Sequence, residues 1–196
     1  MVLRRVIWGA GLFGTACGVG AAATSTHKIT LADREVFDAV NAGHGPQADL
    51  VFTTLTELGS MYAAGAAAMT LFALGRRREA IRAMAATSVT WILLQGMKKA
   101  VDRPRPLDAD PRTTRQLISR PTGQSWPSSH PAVLTTFTRV AARELGIGAV
   151  GRAGLGAVDA TVAVSRVYLG VHYPSDVISG VLIGRAVARL WPRSRR

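Results

Sequence analysis

The sequence predicts an all-α protein, a six-transmembrane-helix bundle with a polar centre at one membrane interface. Three observations predict it. The apolar residues of this 196-residue chain fall in long blocks instead of the short periodic runs of a soluble core. Arginines gather at alternate ends of those blocks. Three polar segments interrupt the apolar pattern beside block ends, where a charge costs about 2.5 to 3.5 kcal/mol on insertion scales and tends to mark function.

The blocks run from Val6 to Ala23, Leu50 to Leu74, Ile81 to Met97, Pro131 to Val150, Ala153 to Val171 and Pro174 to Trp191. Each is near the ~20 residues that a bilayer requires. The fourth is the least apolar, since it carries Arg139, Arg143 and Glu144. Before the second block, Thr30 and Asp33 have capping-box spacing for a short interfacial helix with Leu31, Val36, Phe37 and Val40 as its apolar positions. Gly43 to Gln47 reads as a turn and Gly75 to Glu79 as a tight connection. The longest loop, Lys98 to Pro127, is rich in Pro, Arg, Asp and Thr, and loops of that length are usually functional or disordered. Without repeats or a composition break, the chain reads as a single domain over 1–196, with a core at about 50–191 and an N-terminal helix and interfacial segment at 1–49.

A net charge of +12 could suggest nucleic acid. Its distribution argues against that partner. Arg4 and Arg5, Arg76 to Arg78 with Arg82, Arg143 with Arg152, and Arg193 with the final arginines all fall at block ends that would face one side. By the positive-inside rule that side is the cytoplasm, which leaves the polar loops after the first, third and fifth blocks outside. Lys98, Lys99, Arg103, Arg105, Arg112, Arg115 and Arg120 make the third of those loops basic as well, an exception that anion binding explains. The expected location is a bacterial cytoplasmic (inner) membrane, multi-pass, with the active site near the extracytoplasmic face. Cys17, the only cysteine, excludes an intrachain disulfide and a cysteine metal cluster. The first block is read as a retained helix in preference to a cleaved signal peptide, because its length suffices to span.

Several motifs have plainer readings. Gly9, Gly11 and Gly14 form G-x-G-x-x-G, with Asp33 downstream, but the fingerprint needs a strand and a βαβ unit. Here Gly14 and Gly18 suit close helix packing. Asp108 and Asp110 could hold a cation, yet exposed carboxylates in such a loop are more often solvated or paired with Arg103 and Arg112. Glu57 and Asp159 lie within blocks, where they either pair with buried polar groups or act near substrate. Trp8, Trp91, Trp126, Tyr168, Tyr173 and Trp191 read as an interfacial aromatic belt.

The three polar segments carry the chemistry. Phosphoryl transfer spreads negative charge over the oxygens of the moving group, so a catalyst must surround it with positioned donors. Lys98, Arg105 and Arg166 supply cations without metal, and arginine's planar fork matches phosphate oxygens. Ser128 adds a hydroxyl. The backbone N–H groups of Ser129 and His130 join if a helix begins there, which Pro131 favours. His172 and Asp176 stand four apart around Pro174, so the carboxylate can orient one imidazole nitrogen and leave the other to attack. His130 suits proton transfer, with an unperturbed pKa of about 6.5.

Lys98-x6-Arg105-Pro106, Pro127-Ser128-x-His130, and Ser165-Arg166-x5-His172-x3-Asp176 together resemble the type 2 phosphatidic acid phosphatase (PAP2) superfamily, in its bacterial integral-membrane lipid phosphatase branch. The resemblance covers about Leu50 to Trp191. It implies metal-independent, cofactor-free hydrolysis of a phosphate ester through a phosphohistidine on His172. His130 would be the general acid and Asp176 the residue orienting the nucleophile. Lys98, Arg105, Ser128, Ser129 and Arg166 would bind phosphate. Ser129 departs from the family's usual glycine, which puts a side chain near the phosphate. The expected partner is a lipid phosphate in the bilayer: polyprenyl phosphate or pyrophosphate, phosphatidylglycerol phosphate or phosphatidate. Alternatives are a lipid-linked phosphotransferase with an acceptor other than water, and a non-catalytic lipid-binding or transport protein.

Overall fold

Alanine loses no side-chain entropy in a helix, and stretches such as Ala63–Ala68, alanine and glycine alone, commit the apolar blocks to helical structure. The computed structural model describes residues 2–25 and 27–194, with side chains at 4–23 and 31–194. Among them the secondary structure is helical without strands. In chain order the elements are α1 (Val2–Ser25), α2 (His27–Asn41), α3 (Pro46–Leu55), a 3₁₀ turn (Thr56–Gly59), α4 (Met61–Ala73), α5 (Arg77–Ala100), α6 (Pro106–Ala109), α7 (Ser129–Glu144), α8 (Ala149–Tyr168) and α9 (Pro174–Leu190).

Helix α7 is the hub, packed against α5, α8, α9 and the 3₁₀ turn. This explains why its sequence is the least apolar of the blocks. Its hydroxyls are spent inside the bundle: Thr136 donates to the Ala132 carbonyl at 2.8 Å and meets Thr90 of α5 at 3.0 Å. Thr138 donates to the Asp159 carboxylate of α8 at 3.1 Å, which gives this buried acid a polar partner inside the bundle. Between α7 and α9 the backbones nearly touch. A Cβ on Gly184 would come within 2.6 Å of the Ala132 carbonyl oxygen, and one on Gly180 would strike that of Ser128. Small residues at i and i+4 are what allow such an approach.

Several expectations change. The block Leu50–Leu74 is two helices joined through the 3₁₀ turn, because Ser60 caps α4, its hydroxyl accepting from the Ala63 N–H at 3.1 Å. Gly59 fits there because a Cβ would lie 2.8 Å from that of His130. The fourth block stops at Glu144, where Gly146 takes a positive φ of 70° and turns the chain. Helix α2 begins at His27, so Asp33 lies inside it and does not complete an N-terminal capping box; the Thr30 side chain lies outside the described residues. Gly14 and Gly18 meet no described atom within 4 Å, whereas Gly9 packs on Leu190 and Gly20 on Trp126. Trp126, Tyr168 and Tyr173 are buried in the interior, leaving Trp8 and Trp91 as exposed aromatics of the expected belt.

Among the described residues one helix, α1 over Arg4–Ala23, is long and apolar enough by composition to cross a bilayer. The other long helices carry charge or hydroxyls on inward faces while exposing apolar residues: Ile81, Val89 and Ile92 on α5, Val158 and Val164 on α8, and Ile178 on α9. The arginines of the expected cytoplasmic side do gather at one end. Arg82 pairs with Glu144 at 3.1 Å, Arg143 donates to the Ala188 carbonyl at 2.9 Å, and Arg5 caps α9 through the Arg189 carbonyl at 2.7 Å.

Candidate active site

The opposite end assembles the three polar segments. Lys98 ends α5, buried, and donates to the Gln124 carbonyl at 2.7 Å. Arg105 precedes α6 in extended backbone, with Nε donating to Gly123 O at 3.0 Å and Nη1 to Val171 O at 2.8 Å. The same Nη1 lies 3.3 Å from His172 Nε2. Arg166, 2% exposed in the last turn of α8, donates from Nη1 to Thr56 Oγ1 at 2.7 Å. Ser128 immediately precedes α7 without a side-chain cap, and Ser129 and His130 are the helix's first residues, so the helix begins where Pro131 implied.

Buried polar atoms are nearly always paired, because burial without a partner forfeits hydration. Arg166 Nε, Ser128 Oγ and His172 Nδ1 are buried without a hydrogen-bond partner among the described residues. Each belongs to a residue singled out from sequence. Arg166 Nε and Ser128 Oγ are donors that fit an oxyanion with several acceptor lone pairs, whereas His172 Nδ1 faces the Asp176 carboxylate.

The electrostatics agree. Burial first, and then the Arg105 cation, push the Lys98 ammonium below its ordinary range. Burial, followed by Arg105, Lys98, Arg166 and His130, holds His172 well below the usual imidazole range. Burial, then Arg166, Lys98 and Arg105, lowers His130 in the same way. His172 is therefore a free base at neutral pH, as a nucleophile must be. A bound phosphate anion would reverse the repulsive part of each shift.

Asp176 is bonded through both of its carboxylate oxygens. Its Oδ2 accepts from Ser125 Oγ at 2.5 Å and from the Tyr173 N–H at 2.9 Å, and lies 3.5 Å from His172 Nδ1. Its Oδ1 accepts from Arg103 Nη1 at 2.5 Å. Arg103 in turn donates from Nη2 to Asp33 Oδ2 at 2.5 Å and from Nη1 to Ser175 Oγ at 2.6 Å. Sequence reasoning missed these roles: it weighed Arg103 as a partner for Asp108 and Asp110, and Asp33 as a ribose ligand or a cap. Asp108 instead pairs with Arg120 and Asp110 with Arg34, at 2.8 and 2.9 Å. The available signal was the placement of Asp33 one helical turn before the apolar Phe37, which faces it inward. Glu57 sits exposed in the 3₁₀ turn.

Beside His130 opens an apolar slot of about 460 Å³, lined also by Gly59, Met61, Tyr62, Trp91 and Val133. Of the site residues singled out from sequence, Ser129 and His130 line it, and Tyr62 of α4 and Trp91 of α5 are exposed at its wall.

The family model of the PAP2 superfamily matches residues 79–196, more than half of the chain and all three polar segments. The chain belongs to the PAP2 superfamily. Within it, the chain is 36% identical over 115 residues to decaprenylphosphoryl-5-phosphoribose phosphatase of Mycobacterium tuberculosis, strains CDC 1551 and H37Rv. That stretch is 59% of this chain and 60% of those relatives, so about three fifths of their length is spanned. Among solved structures, the transmembrane PAP2-type phosphatidylglycerolphosphate phosphatase of Bacillus subtilis superposes with a TM-score of 0.74, at 23% identity and 91% coverage of both chains, a likeness of fold. Aquifex aeolicus LpxE superposes with a TM-score of 0.70 at 27% identity, covering 79% of this chain and 90% of its own. Helices α1 to α4 precede the PAP2 match, and Asp33 with them.

Proposed function

We propose that the protein is a single-domain, membrane-embedded lipid phosphatase that works through a phosphohistidine. The observation that carries this reading is the gathering of buried Lys98, Arg105 and Arg166 around His172, with Arg105 Nη1 3.3 Å from its Nε2 and with His130, which feels the same three cations, lining an apolar slot. The cations and the Ser128 hydroxyl hold the phosphoryl oxygens, together with the α7 N-terminus at Ser129 and His130. His172 Nε2 forms a bond to phosphorus as the phosphorus–oxygen bond to the lipid breaks, and Asp176 on the Nδ1 side steadies the positive ring. His130, free of its proton in the empty site, becomes protonated once a bound phosphate offsets the neighbouring cations; it then gives that proton to the departing alkoxide and takes one from the water that hydrolyses the phosphohistidine. The cations that a metal would otherwise supply are already side chains, so the proposed chemistry uses neither metal nor cofactor.

A lipid substrate follows from the slot, which would let an apolar tail stay at the membrane-facing surface while its phosphate reaches the cations. The resemblance to decaprenylphosphoryl-5-phosphoribose phosphatase favours a polyprenyl-linked phosphate over phosphatidate or phosphatidylglycerol phosphate. The six-span topology is part of the proposal, with α3 and α4 together forming the second span. Lys98, His130 and His172 then lie just beyond Met97, Pro131 and Val171, at the extracytoplasmic interface of a bacterial inner membrane. The apolar outer faces of α5 and α8 and the arginine-rich far end support it.

Purified protein in detergent, offered decaprenyl phosphate, undecaprenyl pyrophosphate, phosphatidylglycerol phosphate and phosphatidate, tests the reading. Wild type should release phosphate from at least one, and His172→Ala from none. Release retained by His172→Ala would reject the nucleophile, and activity abolished by a chelator but restored by Mg²⁺ would reject the metal-free route. Labelling of an Asp108→Cys variant from the cytoplasmic side alone would overturn the topology.

A further inference from the structure

We infer that Asp33, on a helix outside the PAP2 match, is a positioning residue that sets the charge Asp176 presents to His172, acting through Arg103. The inference rests on the phosphohistidine reading above. The contacts form one buried chain across three elements. Asp33 Oδ1 accepts from the Ser175 N–H at 2.8 Å, and Oδ2 accepts from Ser175 Oγ and Arg103 Nη2, each at 2.5 Å. Arg103 Nη1 continues to Asp176 Oδ1 at 2.5 Å. Asp33, Arg103 and Asp176 are 6%, 5% and 0% exposed, so solvent does little to screen them. The chain is held sideways by apolar contacts: the Arg103 guanidinium lies 4.5 Å over the Tyr173 ring, which packs on Phe37 at 5.5 Å.

Charge arithmetic shows why a second carboxylate is useful. His172 becomes positive when its Nε2 is phosphorylated, and Asp176 must then offer negative charge to the Nδ1 side. Arg103 alone would cancel that charge, leaving the pair neutral. Asp33 shares the guanidinium, so the three groups together carry one net negative charge beside a ring otherwise faced by Lys98, Arg105, Arg166 and His130. The fixed bonds also aim Asp176: its Oδ1 is pinned by Arg103 while Oδ2 points to the imidazole. Asp33 touches neither substrate nor nucleophile.

The test is a double-mutant cycle of Asp33→Asn and Arg103→Gln, assayed with decaprenyl phosphate in detergent. A second readout is the His172 titration followed by ¹⁵N-histidine NMR, assigned with His172→Ala. Asp33→Asn makes the group neutral and should lower kcat about tenfold with little change in KM, and lower the His172 pKa. Arg103→Gln leaves two negative charges and should raise KM about tenfold and raise that pKa. The double variant restores one net negative charge and should be more active than either single variant, with its His172 titration back near wild type. A double variant worse than both singles, with an unmoved His172 titration, would show that Asp33 only braces the fold and would overturn the inference. If the titration moves as stated while His172→Ala still turns over, the charge coupling stands and the phosphohistidine reading is what fails.

Discussion

Arginines stand at both ends of this bundle, and their surroundings make them different instruments. At the far end the arginines keep contact with water and pair locally: Arg76 with Glu79 at 2.8 Å, Arg82 and Arg143 with the largely buried Glu144 at 3.1 and 3.0 Å. A solvent-accessible pair such as Arg76 with Glu79 contributes about 0 to 1 kcal/mol, because water solvates either partner nearly as well. At the end that holds the candidate site Arg103, Arg105 and Arg166 are 5%, 3% and 2% exposed. Desolvating a charge costs several kcal/mol, which only good geometry or a ligand offsets. Asp33 and Asp176 are both bonded to Arg103, whereas Arg105 lies 3.3 Å from His172 and Arg166 donates to the Thr56 hydroxyl. Charge alone therefore does not mark a site; charge kept dry and not hydrogen-bonded to a carboxylate does.

The comparison can be broken, and the largest blow is His172→Ala. It should lower kcat by about 10⁴-fold or more and abolish any acid-labile phosphoenzyme trapped by rapid quench. Next, Arg166→Ala or Arg105→Lys should cost about 10² to 10³ in kcat/KM, the second because an ammonium keeps the charge but loses the paired donors. Arg105→Lys with near-normal kcat/KM would mean the fork geometry is idle. At the far end, Arg189→Gln and Arg82→Gln should change phosphate release less than about twofold.

A subtler difference concerns acid. His172 has its pKa lowered in the folded protein by burial and then by Arg105. Below about pH 6.5 the unfolded chain binds a proton that the folded site refuses, so stability falls as pH drops from there towards the lower folded value. His172→Gln should therefore show a smaller fall in Tm than wild type between about pH 7.5 and about pH 5.5. An equal fall would show that His172 titrates normally when folded. Orthovanadate should raise Tm in wild type, because it binds only the folded state, and should do so less in Arg166→Ala.

Residues whose chemistry is local were readable in the chain. Pro131 announced the start of α7, and His172 and Asp176 at i and i+4 around Pro174 announced a carboxylate beside an imidazole. The intervals linking Lys98, Arg105, Ser128, His130 and Arg166 pointed to a candidate phosphate site, and the fold brings these residues to one end of the bundle. What stayed hidden depends on long-range packing. No local pattern shows that Leu50–Leu74 must break so that Thr56 can accept from Arg166 and Gly59 can lie against His130. Nor does composition distinguish Trp126 or Tyr168, buried in the core, from Trp8 on the surface.

The chain by itself determined the helices, the family and the residues proposed to meet an anion, because each depends on side-chain chemistry and short spacing. The tertiary structure decided which charges those residues see. Asp33 and Arg103 lie 70 positions apart, and Arg103 is 73 positions from Asp176. Their coupling exists because Phe37 seats α2 against Tyr173 while Gly180 and Gly184 bring α9 onto α7. Electrostatic energy depends on distance and burial, and neither is set until the helices pack.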